Sequence, residues 1–174
     1  AAMTMSLDEA VGTVLDTLDR MDLANETLVV FVNDNGGQTL SGMDNGDLRG
    51  RKGQPYEGGI RVPFVARWPG HWPAGLVYDF PVSTLDLLPT ALAAAGEANM
   101  PLPAALPGVD LTPHVRGLLP SRPHETLFWA RKENTCVREG DWKLLRYENG
   151  PLELYNLADD PGETTDHAAD YPER

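Results

Sequence analysis

The stretch "TLVVFVNDNGGQTLSGMDNGDLRGRKGQPYEGGIRVP", residues 27–63, decides the fold prediction. Its first six residues, 27–32, form a short, β-branched and continuously apolar run. Such a run is typical of a buried parallel strand, and not of a helix or of a strand with one wet face. Asn33, Asp34 and Asn35 follow the run directly, and two glycines come next. In open α/β sheets, ligands bind at this carboxyl edge of the strands.

Two of these residues carry oxygen ligands. Asp34 offers a carboxylate and Asn35 an amide oxygen, which are donors that suit Ca²⁺ or Mg²⁺ better than a soft metal. The same pair also fits an Asx turn that does no more than close the strand. The residue types alone leave both interpretations open.

A glycine-rich loop follows, with several cations inside it. The cations are Arg49, Arg51, Lys52 and Arg61. Glycines let a backbone come close to an anion, and cations attract one, so the loop is a candidate anion site. A flexible surface loop is the alternative interpretation.

Four segments stand in this order at short spacing: "VNDNGG", "LRGRKGQPYEGGIRVPF", "RWPG" and "STLDLLPT". With the later "VREGDWKLL" and "ELYNLADDPGET", they closely resemble the second half of the catalytic domain of formylglycine-dependent, arylsulfatase-like sulfatases, within the alkaline phosphatase superfamily. The resemblance implies an α/β fold with part of a mixed or parallel sheet flanked by helices, followed by a small antiparallel α+β C-terminal subdomain. It covers nearly the whole chain and carries no information about the substrate.

The resemblance also implies roles for particular residues. Asp34 and Asn35 correspond to two metal ligands of a divalent cation, Ca²⁺ or Mg²⁺, and Lys52 to the catalytic lysine that contacts the sulfate. The formylglycine nucleophile is expected in an N-terminal half that these residues lack. The implied activity is that of a sulfuric ester hydrolase on a sulfated small molecule or carbohydrate. Glu57 and Arg61 are expected to organise the loop through hydrogen bonds.

Cys136 is the only thiol and does not match the nucleophile motif. The family motif is Cys-x-Pro/Ala-x-Arg, whereas Val137, Arg138 and Glu139 follow Cys136 here. We therefore predict that Cys136 is a strand residue and that the isolated chain is inactive. The four histidines stand far apart without zinc spacing.

Two other functions remain open from the sequence. One is a phosphodiesterase or phosphonate monoester hydrolase of the same superfamily, which only the nucleophile region and a comparison of sulfate with phosphate esters would separate from a sulfatase. The other is a non-catalytic module that binds a cation or a carbohydrate.

The remaining patterns predict two helices and a small sheet. Ser6 and Glu9 form a capping-box pattern for a helix that runs to about Leu23. A second helix spans 85–95 with Asp86 as its cap and Pro89 in its first turn. Four short strands follow at 126–131, 135–138, 142–147 and 152–155, with Asn149-Gly150 as a hairpin signal. The prolines between 99 and 123 mark a long connection and a domain boundary at 99–124. The resemblance implies that 1–98 is the C-terminal part of the sulfatase catalytic domain and that 125–174 is a small, truncated C-terminal subdomain.

The charge and composition of the chain limit the kinds of partner that it can have. The net charge of −12 over 174 residues argues against a nucleic-acid surface, and no run is long enough for a membrane span. The start at Ala1 leads us to expect a fragment of a longer protein. A parallel sheet needs cover on both faces, so we expect either oligomerisation or a partner that carries the N-terminal half. The compartment stays open, with periplasmic, extracellular or lysosomal locations implied by the resemblance.

Overall fold

The computed structural model describes residues 2–97, 100 and 107–174. The chain divides into two compact units, each made of two segments. The first unit comprises Ala1–Val30 and Val65–Pro123, and the second comprises Phe31–Phe64 and His124–Arg174. The predicted connection at 99–124 lies partly outside the described residues, and its role as a domain boundary stays a prediction.

The secondary structure alternates short helices and strands. The helices are α1 (Ala2–Arg20), α2 (Glu57–Ile60), α3 (Leu87–Ala94) and α4 (Thr112–Val115). The strands are β1 (Val29–Val32), β2 (Phe64–Arg67), β3 (Thr126–Arg131), β4 (Asn134–Glu139), β5 (Trp142–Arg146) and β6 (Leu152–Asn156). The chain is therefore a mixed α/β protein with an antiparallel C-terminal sheet, as the sequence predicted.

The first helix is longer at its start than the capping box predicted. It begins at Ala2, so Ser6 lies inside the helix and is not its N-cap, and it ends at Arg20 instead of Leu23. Alanine and methionine upstream of Ser6 favour a helix, and this preference extends it. No residue of α1 is buried, and the apolar side chains of Leu7 and Val14 are half exposed. The apolar stripe is therefore only partly covered by the described part of the chain.

The strand at the head of the decisive stretch is confirmed, but its complete burial is not. All four residues of β1 are only partly buried. β1 and β2 form a two-stranded sheet, and Val65 in β2 is 61% exposed. Two strands cannot enclose their own apolar faces. The described residues therefore leave part of the apolar sheet surface uncovered.

The second predicted helix is confirmed in its essentials. Pro89 lies in the first turn of α3, where its missing N–H costs no hydrogen bond, and Gly96 follows the end of the helix with φ +81°. Asp86 stands at the N-cap position and is fully buried, but its side chain makes no capping bond to α3, so the predicted cap is wrong. Its carboxylate accepts hydrogen bonds from the backbone N–H of Ser83 at 2.7 Å and of Val109 at 2.9 Å. Asp86 thus holds residue 109 against the start of the helix.

The C-terminal sheet is antiparallel with strand order β3-β4-β5-β6. Each strand lies within one residue of its predicted bounds at either end. The hairpin between β5 and β6 is also confirmed, although its turn is centred one residue earlier than predicted. Glu148 and Asn149 both have positive φ, and the N–H of Gly150 donates to the carbonyl of Tyr147 at 2.8 Å. This is the geometry of a type I′ turn.

The core of the second unit joins the sheet to the glycine-rich stretch. Its buried cluster is Tyr56, Cys136, Leu145, Tyr155 and Leu157. Burial raises the pKa of the Cys136 thiol to about 11, which keeps it protonated and unreactive. The interpretation of Cys136 as a strand residue is confirmed. Tyr56 lies in the glycine-rich loop and packs against residues of the C-terminal sheet, so the sheet supports the loop.

Candidate active site

The end of β1 presents two side chains with oxygen atoms. Asp34 is exposed and makes no side-chain hydrogen bond or ion pair with another described residue. Asn35 is partly buried, and its amide nitrogen donates to the carbonyl of Gly36 at 3.0 Å. This bond orients the amide and leaves its oxygen without a donor among the described residues. Neither side chain accepts the backbone hydrogen bond that an Asx turn requires.

Asn45 fastens this end of the strand to the glycine-rich loop. Its Oδ1 accepts from the N–H of Gly37 at 2.8 Å, and its Nδ2 donates to the carbonyls of Gly37 at 3.2 Å and Gly50 at 3.0 Å. The sequence interpretation treated the surrounding residues as a loop in a sulfatase-like segment and gave Asn45 no role. A side-chain amide that pairs with both backbone groups of one residue fixes the local conformation.

Close backbone packing joins the strand end at 33–37 to the glycine-rich loop at 45–59, and the two are called the loop cluster below. A methyl group on Gly36 would lie 1.8 Å from the carbonyl oxygen of Gly58. A methyl group on Gly58 would in turn lie 2.6 to 2.7 Å from carbonyl oxygens in the preceding loop. The N–H of Gly36 also donates to the carbonyl of Gly59 at 3.0 Å. Only glycine fits at these two positions.

Lys52 lies in the same loop cluster as the strand end. Its backbone N–H donates to the carbonyl of Gly37 at 3.1 Å. Gly37 is two residues after Asn35 in the sequence, so this bond holds the backbone of Lys52 close to the strand end. The side chain is exposed and forms no ion pair with any described residue. The three residues singled out from the sequence, Asp34, Asn35 and Lys52, therefore come from segments that the backbone holds together.

Arg49 has a different role from the anion contact that its position in the loop suggested. Its guanidinium donates to the hydroxyls of Tyr155 at 2.6 Å and Tyr56 at 3.1 Å, and to the carbonyl of Glu163 at 3.1 Å. It also pairs with Glu153 at 3.3 Å and lies 3.9 Å from the ring centre of Tyr56. Arg49 therefore anchors the loop to the C-terminal sheet.

The tyrosines around Arg49 are neutral over the physiological range. Burial raises the pKa of Tyr56 to about 12, and its hydrogen bond to Glu153 adds to the shift. Burial and a hydrogen bond to the same carboxylate raise the pKa of Tyr155 as well. Both hydroxyls donate to Glu153, so they serve as hydrogen-bond donors and not as bases.

A buried ion triad lies beneath α2. Lys143 is completely buried, and its Nζ lies 2.9 Å from Glu57 Oε1 and 2.8 Å from Glu163 Oε1. The second carboxylate oxygen of Glu163 accepts the backbone N–H of Glu57 at 2.6 Å. Glu57 thus organises the loop as predicted, whereas Arg61 contributes only a backbone bond to the carbonyl of Glu57 at 2.7 Å.

Sequence reasoning missed Lys143 and Glu163. Lys143 shares a strand face with buried Leu145, so the alternation of β5 places a lysine on the core side. A charge on that side requires a buried partner. This was the available signal for Lys143. Glu163 lies beyond the last strand, and no local pattern identified it.

The triad makes stability depend on pH. Burial raises the pKa of Glu163 above its ordinary value, although the attraction of Lys143 opposes the shift. A carboxyl with a raised pKa in the folded state stabilises the fold below its unfolded pKa of roughly 4.5, and this contribution is lost as pH rises through the raised value. We expect the free energy of unfolding of the wild type to fall relative to that of Glu163→Gln as pH rises from about 4.

Denaturant titrations at stepped pH, followed by circular dichroism, measure this difference. Glu173→Gln is the control, because it removes one carboxylate at an exposed position. If the curves for the wild type and Glu163→Gln ran parallel from acid to neutral pH, the titration of Glu163 would not be linked to folding.

The described residues contain neither a cluster of metal-ligating side chains nor a membrane-spanning helix. Within residues 2–97, 100 and 107–174, no three His, Cys, Asp or Glu side chains gather as a metal centre would require. Asp34 and Asn35 can therefore supply only part of a coordination shell. Over the same residues, no helix has both the length and the apolar character needed to cross a membrane.

The fold and this loop cluster define an α/β protein with hard oxygen donors and an exposed lysine beyond a strand. A sequence model of the Sulfatase family matches residues 1–97. The chain belongs to the sulfatase family, within the alkaline phosphatase-like superfamily.

Relatives of known sequence and structure agree. Arylsulfatase A of Homo sapiens is 37% identical over 191 residues, which cover 91% of this chain and 37% of that protein. A sulfatase of Formosa agariphila is 35% identical and covers 99% of the chain and 35% of its own length. The crystal structure of Ps i-CgsB superposes with a TM-score of 0.87 at 32% identity, over 98% of this chain and 38% of that one. The chain thus spans just over a third of the length of each of these three proteins.

Proposed function

We propose that this chain is the C-terminal part of a sulfatase that hydrolyses sulfate esters. Membership of the sulfatase family carries the proposal, and the joining of the Lys52 segment to the strand end supports it. The nucleophile, a formylglycine in the proposal, belongs to a part of the protein outside these 174 residues. The chain by itself is then expected to lack turnover.

The donor set fits a hard divalent cation, Ca²⁺ or Mg²⁺. Asp34 and Asn35 would hold it, because both offer oxygen atoms that have no donor among the described residues. Further ligands would come from the remainder of the protein. When bound, the cation supplies positive charge opposite the sulfate oxygens.

The residues of this chain perform two tasks in the proposal. Lys52 presents a compact positive charge to the sulfate, and this charge stabilises the negative charge that develops as the ester bond breaks. Asn45 and the packed glycines hold the backbone of the Lys52 segment against the strand end, which keeps the lysine close to the proposed cation site. The Arg49 and Lys143 clusters fix the same loop from the side of the C-terminal sheet.

The substrate class is a sulfated small molecule or carbohydrate. One related protein, Ps i-CgsB, was crystallised in complex with k-i-k-neocarrahexaose, which supports a carbohydrate for this chain as well. A partner that covers the apolar surfaces of α1 and β2 is part of the proposal, and the N-terminal half of the same protein would provide it.

The experiment that tests the cation site uses the full-length protein. Asp34→Ala and Asn35→Ala are each expected to raise the Kd for Ca²⁺ by about tenfold or more, because each removes one first-sphere oxygen. Isothermal titration with Ca²⁺, and then with Mg²⁺, measures the change. Asp47→Ala is the matched control, since it removes the same charge from an exposed position in the same loop.

Two outcomes would count against the proposal. Equal Ca²⁺ affinity in Asp34→Ala, Asn35→Ala and Asp47→Ala would show that Asp34 and Asn35 do not bind the cation. Faster hydrolysis of an aryl phosphate than of the matching aryl sulfate by the wild type would favour a phosphoesterase of the same superfamily.

A further inference from the structure

The turn between β3 and β4 is pinned to the residue that follows Lys52. This segment, Arg131–Asn134, is called the hairpin tip below. Asn134 donates from Nδ2 to the carbonyl of Gly53 at 3.1 Å, and its Oδ1 accepts from the N–H of Glu148 at 2.9 Å. Both ends of one amide are thus used to hold the hairpin tip, Gly53 and the β5–β6 turn in one arrangement. The hairpin tip is therefore held against the loop cluster by hydrogen bonds.

Arg131 lies directly on Gly53. A methyl group on Gly53 would meet Arg131 Nη1 at 3.2 Å and Cζ at 3.7 Å, so the guanidinium covers the backbone there. Gly53 has φ +87°, a conformation that strains any side chain, and the missing Cβ leaves room for the arginine. The guanidinium is therefore next to the residue after Lys52.

The charge of Arg131 has no counter-ion in the described part of the chain. Its side chain is exposed and forms no ion pair or hydrogen bond with a described residue. Arg49, in contrast, is occupied by two tyrosines and a carboxylate. In a chain with net charge −12, Lys52 and Arg131 are thus two cations, one preceding Gly53 and one lying on it, whose side chains have no charged partner among the described residues.

We infer that Arg131 binds a second anionic group of the substrate, beside the ester group that Lys52 contacts. The inference rests on the proposed sulfatase function and narrows its substrate to a saccharide with at least two anionic groups, sulfates or carboxylates. A guanidinium suits this role because its fork of N–H donors matches either group bidentately. Glu133, in the same hairpin tip, is the one opposing charge there.

The test uses the full-length protein and three substrates. These are a disulfated disaccharide, the monosulfated form of the same disaccharide, and 4-methylumbelliferyl sulfate. For Arg131→Gln, the ratio of KM for the disulfated sugar to KM for the monosulfated sugar is expected to rise about tenfold, the size of a lost charge-assisted hydrogen bond. Arg131→Lys should restore only part of the ratio, and Glu133→Gln should lower it.

Arg174→Gln is the matched control. It removes the same charge in the same unit, from the guanidinium that lies over Trp142, at the start of β5 and the opposite end of the sheet. Its KM ratio is expected to equal that of the wild type.

The outcomes separate the two ideas. An unchanged KM ratio in Arg131→Gln, while the wild type hydrolyses the sulfate esters, would overturn the role of Arg131 and leave the sulfatase function intact. A wild type that hydrolyses none of the three esters would overturn both. A ratio that changes as much in Arg174→Gln as in Arg131→Gln would show a general charge effect and would also overturn the role of Arg131.

Discussion

Replacement of Lys143 by methionine is expected to lower the free energy of unfolding by about 3–5 kcal/mol. Lys143 is the cation of a triad in which Glu57 and Glu163 are also buried. Without the ammonium, two carboxylates remain close together and out of water, and Glu57 N–H still donates to Glu163. Breaking a buried ion pair by removing one partner is costly because it leaves an uncompensated charge.

The loss should depend on pH. Burial already raises the pKa of Glu163, and its protonation in acid removes uncompensated charge, so Lys143→Met is expected to be closest to the wild type in acid and furthest from it near neutral pH. Denaturant unfolding followed by circular dichroism at several pH values measures this dependence.

Two further variants make the experiment specific. Lys132→Met removes an exposed lysine from the hairpin tip, where the change should stay within about 0.5 kcal/mol. Adding Glu57→Gln and Glu163→Gln to Lys143→Met removes all three charges and should recover part of the stability. Equal unfolding free energies for Lys143→Met and Lys132→Met would mean that the triad contributes little to the fold.

The triad also shows where sequence reasoning stops. Four short strand-like runs and the Asn149-Gly150 hairpin signal predicted the antiparallel sheet, and the order of the sulfatase-like segments predicted the family, because these signals are local or linear. Lys143 and Glu57 are 86 residues apart in the chain, and their contact follows from packing that no local pattern encodes. The same holds for Asn134, whose bond to Gly53 spans 81 residues.

Two corrections have local causes. The capping box at Ser6 failed because the residues before it also favour a helix, so the pattern had no boundary to mark. The prediction that β1 is completely buried was wrong. An apolar run indicates that a strand needs cover on both faces, but among the described residues β1 has only β2 beside it in the sheet. In both cases the composition was interpreted correctly and its structural context was not.

Replacement of Lys52 by alanine is expected to reduce kcat/KM of the full-length protein for sulfate esters by about 10²–10³-fold, the range for loss of one preorganised charge stabiliser. The loss should not come from unfolding. The structural contact of Lys52 is its backbone N–H to the carbonyl of Gly37, which alanine keeps, and the side chain is exposed. Thermal denaturation should therefore give the same midpoint for the variant and the wild type.

Steady-state kinetics on 4-methylumbelliferyl sulfate measure the loss, with Arg61→Ala as control. Arg61 is an exposed cation of the same segment, and its contribution to the loop is a backbone bond to Glu57 that alanine also keeps. Its kcat/KM is expected to change less than about threefold, since the charge of an exposed side chain is screened by solvent. If both variants lost activity equally, the effect would come from the net charge of the loop and not from a contact of Lys52 with the sulfate. Turnover by the isolated 174-residue chain that Lys52→Ala abolished would contradict the assignment of the nucleophile to another part of the protein.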